Sequence, residues 1–261
     1  MTFGSLFAGC GGMDLGLERA GMKCEWQVEI DERATRTLER HWPTTLRGSD
    51  VKEWTSPPPV DVIAAGFPCQ DISSAGKRGG IRASRSGLFF QIIRLVRESR
   101  VRPGYLLLEN VSALLERDLG VVLGELAKVG YDAEWHCLSA AQFGAYHIRD
   151  RVFILAYPNG HRRTPIITAG RIPCHWPRES ESEWRGNKPK PERGSGGRVW
   201  MVPRGLDERV ANGFSRGLDE DRLRLCGNAV LPEIAEWIGQ QIMETHDGNR
   251  ISTNGRHSQQ G

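Results

Sequence analysis

Over its first 157 residues the chain switches repeatedly between short apolar runs and stretches with helical spacing. That alternation is the pattern of a mostly parallel sheet covered by helices on both faces. The apolar runs predict strands over Phe3–Phe7, Lys23–Glu29, a short stretch ending near Asp50, Val60–Ala65, Tyr105–Glu109, Ala133–Leu138 and Val152–Tyr157. Helical spacing predicts Met13–Ala20, Glu32–His41, Gly87–Arg100 and Leu119–Lys128, with Ser86 placed as a cap and Gly21 and Gly130 as stops. A last helix is predicted over Pro232–Thr245, where proline opens the first turn and Ile234, Ala235, Ile238 and Ile242 share a face. The expected fold class is therefore α/β.

A chain of 261 residues buries enough surface to fold without disulfides or a metal. Its six cysteines, at 10, 24, 69, 137, 174 and 226, form no C-x-x-C pair, which argues against a zinc ribbon or a disulfide framework and for reduced thiols in a cytosol-like compartment. No apolar run approaches the length of about 18 residues that suggests a membrane span, and the opening Met1-Thr2-Phe3-Gly4 lacks the charged, then greasy pattern of a signal peptide.

Charge is unevenly spread. The stretch from Pro158 to Gly205 holds ten Lys/Arg against four acidic residues, a net of +6 in a chain whose total is +3. It is rich in Pro and Gly, carries Trp176, Trp184 and Trp200, and shows no sustained period, so it reads as an irregular insertion. A solvated loop would have such a composition, but basic charge interleaved with aromatic rings favours a polyanion-binding surface, nucleic acid above all. The segment from His246 onward is polar and is expected to be disordered.

In open α/β sheets, ligands sit at the carboxyl ends of the strands. The first strand runs into Phe7-Ala8-Gly9-Cys10-Gly11-Gly12, a turn whose glycines let a ligand approach the backbone just before a helix N-terminus. The second ends at Glu29, an acceptor for ribose hydroxyls, and the third at Asp50, an acceptor for an adenine amino group; each acid could instead cap a helix. The fourth runs into Gly66-Phe67-Pro68-Cys69-Gln70, which puts a thiol just past a buried strand on a loop stiffened by Pro68. A lone cysteine is ordinarily an inert small hydrophobe, and a catalytic one needs help from its setting to become thiolate. The fifth ends in Glu109-Asn110-Val111, where Glu109 could cap the next helix or face the same bound molecule as Cys69.

These segments, followed by Gln142-Phe143-Gly144, Arg149-Asp150-Arg151 and Gly227-Asn228-Ala229-Val230, resemble in order and spacing the DNA (cytosine-5)-methyltransferases. The resemblance covers all of the chain except the basic insertion and the tail. It implies a Rossmann-like, S-adenosyl-L-methionine-dependent methyltransferase domain with a mixed, mostly parallel sheet and a small irregular DNA-recognition insertion. In domain terms it implies a cofactor-binding and catalytic part over 1–157, target recognition over 158–205, and a returning segment over 206–245 before the tail at 246–261.

By the same resemblance Cys69 is the thiol that adds to carbon 6 of a flipped-out cytosine. Glu109 is the acid bonded to ring nitrogen 3, and Arg149 and Arg151 hold the base carbonyl and order the catalytic loop. Phe7, Gly9 and Gly11 line the methionine and adenine pocket, Glu29 the ribose, Asp50 the adenine amino group, and Pro68 and Asn228 the walls near the methyl. The implied partner is double-stranded DNA, with a cognate restriction endonuclease acting separately. The protein is expected to be a monomer, without a membrane, in the cytoplasm of a bacterial or phage-infected cell and associated with the nucleoid. One departure is that the family's ninth motif is absent before Gly227, where Arg209-Val210-Ala211-Asn212-Gly213 through Arg222-Leu223-Arg224 stands instead. With so short an insertion this resembles a compact phage- or plasmid-type variant. An enzyme acting on transfer RNA, a catalytically silent DNA-binding homologue, and a metal enzyme using His161, Cys174 and His175 are the alternatives, the last lacking a fourth ligand at suitable spacing.

Overall fold

The computed structural model describes residues 1–68, 86–145, 149–160, 166–167, 191–193, 199–201 and 230–254. Seven strands form one sheet: β1 (Thr2–Leu6), β2 (Lys23–Val28), β3 (Leu46–Gly48), β4 (Val62–Gly66), β5 (Tyr105–Val111), β6 (Tyr131–Ser139) and β7 (Asp150–Pro158). Their spatial order is β3-β2-β1-β4-β5-β7-β6. The first five run parallel, while β7 lies antiparallel between β5 and β6. This is the mixed, mostly parallel sheet that the resemblance implied. Pro191–Arg193 and Val199–Met201 pair as a separate antiparallel hairpin, β8 and β9, within the basic insertion.

Both faces of the sheet are covered, which is why its central strands read as unbroken apolar runs. Along β4 and β5, Ile63, Ala65, Leu106 and Leu108 belong to one core with α3 (Phe89–Glu98) and α5 (Leu119–Lys128). Their neighbours Val62, Ala64, Tyr105 and Leu107 belong to the opposite core. That second core includes Leu17 of α1 (Gly12–Arg19), Leu38 of α2 (Glu32–His41) and the apolar face of α6 (Pro232–Asn254). Side-chain direction alternates along a strand, so each strand feeds both cores. A one-turn α4 (Leu114–Arg117), which the sequence does not announce, precedes α5.

α6 is seated on α1 by close backbone approach. A Cβ on Gly16 would lie 2.3 Å from the Pro232 carbonyl oxygen, and one on Gly12 2.3 Å from that of Val230. Arg19 pairs with Glu233 at the same crossing, 3.4 Å apart.

Several boundaries differ from expectation. The predicted helix over Gly87–Arg100 is a 3₁₀ turn, Ser86–Leu88, followed by α3; the N-cap position is Leu88, without a side-chain bond, so Ser86 is not the cap. β5 runs two residues past Glu109, because its antiparallel ladder with β7 continues through Glu109↔Phe153, Asn110↔Val152 and Val111↔Arg151. An acid at the end of an apolar run looks like a boundary, but here a neighbouring strand supplies both backbone partners and a cation. α6 runs on to Asn254, past the expected end at Thr245.

Candidate active site

The strand order reverses between β1 and β4, and a crevice at such a switch point is where open α/β sheets bind ligands. A cavity of about 420 Å³ opens there. It is lined by Phe7 and Gly9 after β1, Glu29 after β2, Asp50 after β3, Gly66, Phe67 and Pro68 from β4 and beyond, Glu109 and Asn110 of β5, and Arg149 and Arg151 beside and within β7. Because β7 is antiparallel, its beginning meets the carboxyl ends of the parallel strands. Eight of the expected site residues thus share one cavity: Phe7, Gly9, Glu29, Asp50, Pro68, Glu109, Arg149 and Arg151. Gly11 stands apart from its lining. It occupies the N-cap position of α1 at φ +83°, and a Cβ there would meet the Trp42 indole at 2.5 Å. Cys69 and Asn228 lie outside the described residues, as do His161, Cys174, His175, the 209–224 segment and the tail from 255 onward. Pro68, the residue before Cys69, borders the cavity.

At the β1–β3 end, Glu29 holds the glycine turn. Oε2 accepts the Gly9 N–H at 2.7 Å and Oε1 the Asp31 N–H at 2.8 Å. The cap of α2 is Asp31, whose Oδ1 accepts from Arg33 and Ala34 N–H, so Glu29 is not the helix cap. A carboxylate has about four acceptor positions, which leaves two on Glu29 for hydroxyls of a bound molecule. Asp50 closes the turn after β3, accepting the Lys52 N–H at Oδ1, 2.9 Å. Among the described residues nothing lies within 4 Å of where a Gly9 Cβ would stand, which leaves room for a ligand on that side of the turn. Two acids on neighbouring strand ends, an open glycine turn and an adjoining cavity fit an adenosine-bearing cofactor such as S-adenosylmethionine.

At the β5 end, Glu109 is 8% exposed and its Oε1 lies 3.1 Å from Nε of Arg151. Burial raises its pKa above the usual carboxylate range, against the opposing pull of Arg151 and Arg149. Burial, with Arg151 next, lowers Arg149 to about 10. The buried Nε of Arg149 has no hydrogen-bond partner among the described residues. The site therefore holds a carboxyl whose pKa burial raises and a guanidinium whose pKa burial lowers, both residues lining the cavity.

Asn110 receives no separate role from the sequence, yet it joins the two halves of this region. Fully buried, it donates Nδ2 to the Phe67 carbonyl at 3.1 Å and accepts the Val111 N–H at Oδ1, 2.8 Å. It thereby ties the end of β5 to the loop that carries Pro68. Sequence reading also passes over Asp14, which is wholly buried. Asp14 accepts from Ser5 Oγ at 2.6 Å and from Gln27 Nε2 at 2.7 Å. Gln27 Oε1 in turn accepts from Arg47 Nε at 3.2 Å, and Arg47 donates to the carbonyls of Leu38 and Trp42. This chain of bonds joins β1, α1, β2, β3 and the end of α2 near the glycine turn. The available signal was an acid between Met13 and Leu17 on the apolar face of a helix.

Residues 1–196 match the C-5 cytosine-specific DNA methylase family. Among similar proteins, the Type II methyltransferase M2.BsuMI of Bacillus subtilis is 38% identical over 158 residues, 58% of this chain and 41% of the relative. M.DsaV of Dactylococcopsis salina is 35% identical over 172 residues, 64% of this chain and 48% of the relative. The chain thus spans about half the length of the curated relatives it matches. Among solved structures, Dnmt2 methyltransferase of Schizosaccharomyces pombe superposes with a TM-score of 0.52 at 21% identity, over 63% of this chain and 51% of the other, a likeness of fold. The family match runs through all seven strands of the main sheet and every cavity-lining residue, and the chain belongs to the C-5 cytosine-specific DNA methylases.

Proposed function

We propose that this chain transfers a methyl group from S-adenosylmethionine to carbon 5 of a cytosine turned out of duplex DNA, through a transient bond to Cys69. The observation that carries the proposal is the convergence of Glu109, Arg149 and Arg151 on the cavity that Glu29 and Asp50 also line. One end is built for a nucleoside, the other for a polar ring.

Carbon 5 of cytosine is a weak nucleophile. The Cys69 thiolate adds to carbon 6, and the ring electrons displaced by that bond make carbon 5 reactive. Glu109, whose pKa burial raises toward the acid form, donates to ring nitrogen 3 as negative charge builds there. Arg149 and Arg151 serve the base carbonyl, and both residues line the cavity that the base would enter. When bound between Phe7, Gly9, Glu29, Asp50, Pro68 and Asn228, the cofactor supplies an electrophilic sulfonium methyl. After transfer, the carbon 5 proton leaves to solvent, the ring electrons return, and the carbon–sulfur bond breaks to restore Cys69.

Turning a base out costs a few kcal/mol, which contacts to the rest of the duplex must offset. The basic insertion over 158–205 takes this role, with 206–245 returning to the catalytic part. The working form is a cytoplasmic monomer acting on double-stranded DNA, with any partner endonuclease a separate protein.

Incubation with the methyl donor and duplexes carrying 5-fluorocytosine tests the chemistry, because fluorine cannot leave as the proton does and the adduct persists. A denaturant-stable complex that disappears in Cys69→Ser is expected. Absence of an adduct on a randomised duplex pool would overturn the proposal, and an adduct formed with transfer RNA alone would assign the activity to RNA. Bisulfite sequencing of DNA from expressing cells then reads the target.

A further inference from the structure

Outside the cavity, one half-buried acid that binds consecutive backbone N–H groups has no part in the chemistry above. Glu134, on the edge strand β6, faces the start of the basic insertion. Its Oε1 accepts the N–H of Ile166 at 2.9 Å and of Ile167 at 3.0 Å, and its Oε2 accepts Ile166 again at 3.1 Å. Consecutive backbone N–H groups closing on one carboxylate form a small anion nest, and charge-assisted bonds of this type are stronger than neutral ones. Both isoleucines are buried, at 5% and 1% exposure, in the core that holds Leu138, Phe153 and Leu155 of β6 and β7 and Trp237 of α6. The dipeptide is thus held twice, by its apolar side chains and by its backbone.

We propose that Glu134 is the anchor that fixes the first part of the insertion to the catalytic sheet, and so a positioning residue for DNA. The proposal rests on the reading of the insertion as the DNA-contacting region. Arg163 stands three residues before Ile166 and Arg171 four after Ile167. Holding Ile166 and Ile167 still shortens the free chain that leads to these charges, and so lowers the ordering cost of DNA binding. Glu134 touches neither the base nor the cofactor pocket, and it acts only through the backbone it holds.

The test compares Glu134→Ala, which removes the acceptor, with Glu134→Gln, which keeps one carbonyl oxygen able to accept from both N–H groups. Binding to a mixed-sequence duplex is read by fluorescence anisotropy, S-adenosylmethionine binding by calorimetry, and the state of the insertion by the rate of tryptic cleavage after Arg162, Arg163 and Arg171. Glu134→Ala is expected to weaken duplex binding ~10-fold and to speed those cleavages, with cofactor affinity unchanged and most of the loss restored in Glu134→Gln. Unchanged cleavage in Glu134→Ala, faster cleavage with unchanged duplex affinity, equal losses in the two variants, or a parallel loss of cofactor affinity would each overturn it. If the parent chain bound no duplex at all, the DNA reading itself would fall, and the cleavage rates alone would decide whether Glu134 anchors the segment.

Discussion

Arg151 presents Nε to Oε1 of Glu109 at 3.1 Å from a strand that runs antiparallel to the one carrying the acid. The pair depends on register, since Arg151 stands opposite Val111 and reaches back across the sheet to an acid two positions away. Burial holds the Glu109 carboxyl toward its protonated form while the cation keeps it oriented.

Replacing Glu109 by Gln removes the proton donor but keeps the shape. Transfer should slow by about 10²–10⁴-fold with cofactor affinity retained. The pH–rate profile should also change. A protonated Glu109 is needed, so the parent's rate falls as pH rises through the raised pKa, and that limb should be missing from the variant. Single-turnover rates across pH that kept the limb in Glu109→Gln would assign it to another group.

Asn110→Ala should uncouple the loop that carries Pro68 from β5. The buried Phe67 carbonyl would lose its donor, for a stability cost of about 1–3 kcal/mol. The transfer rate should fall further than cofactor affinity, because Glu29 and Asp50 are untouched. Equal losses in both would mean that Asn110 supports the whole domain and not that loop.

Asp14 makes stability depend on pH. Burial lifts its pKa from 3.8 to about 6, against the lowering effect of the Ser5 and Gln27 bonds. The folded state therefore holds a proton that the unfolded chain releases between these values. Its contribution is fully present below pH 3.8 and is lost as pH rises through about 6. Between pH 5 and 7.5, Asp14→Asn should remove roughly 1–2 kcal/mol of the parent's loss of stability, read by urea unfolding at the two pH values. Identical pH slopes would refute this.

Gly16→Ala should disturb the seat of α6 on α1, since its Cβ would fall 2.3 Å from the Pro232 carbonyl oxygen. That neighbour is backbone and cannot swing aside, so a loss of about 1–3 kcal/mol is expected. An unchanged melting temperature would show that the helices separate freely.

DNA affinity should fall steeply with salt, because the insertion carries a net +6. If it neutralises about six phosphates, log affinity should decline against log salt with a slope near −5. A flat response would remove the insertion from the phosphate backbone.

Much of this was legible in the chain itself. Apolar periodicity is local, so α2 and α5 have the bounds the sequence predicts, and cavity-lining residues near the end of each parallel strand could be named because such strands bring those ends to one edge. The exchange of caps, Asp31 for Glu29, was not legible, since both acids precede the same helix and only the position of Gly9 selects between them.

Sequence alone thus determined the alternation of strands and helices, the acids and glycines at the strand ends, and the basic insertion, all of which are written in neighbouring residues. Tertiary structure alone decided that β7 enters antiparallel beside β5, that Asp14 is sealed between Ser5 and Gln27, and that Glu134 receives Ile166 and Ile167. Each of these joins residues on separate elements. Which donor meets which acceptor is set by strand register and by the competition of buried polar groups for partners, and no short-range pattern encodes either.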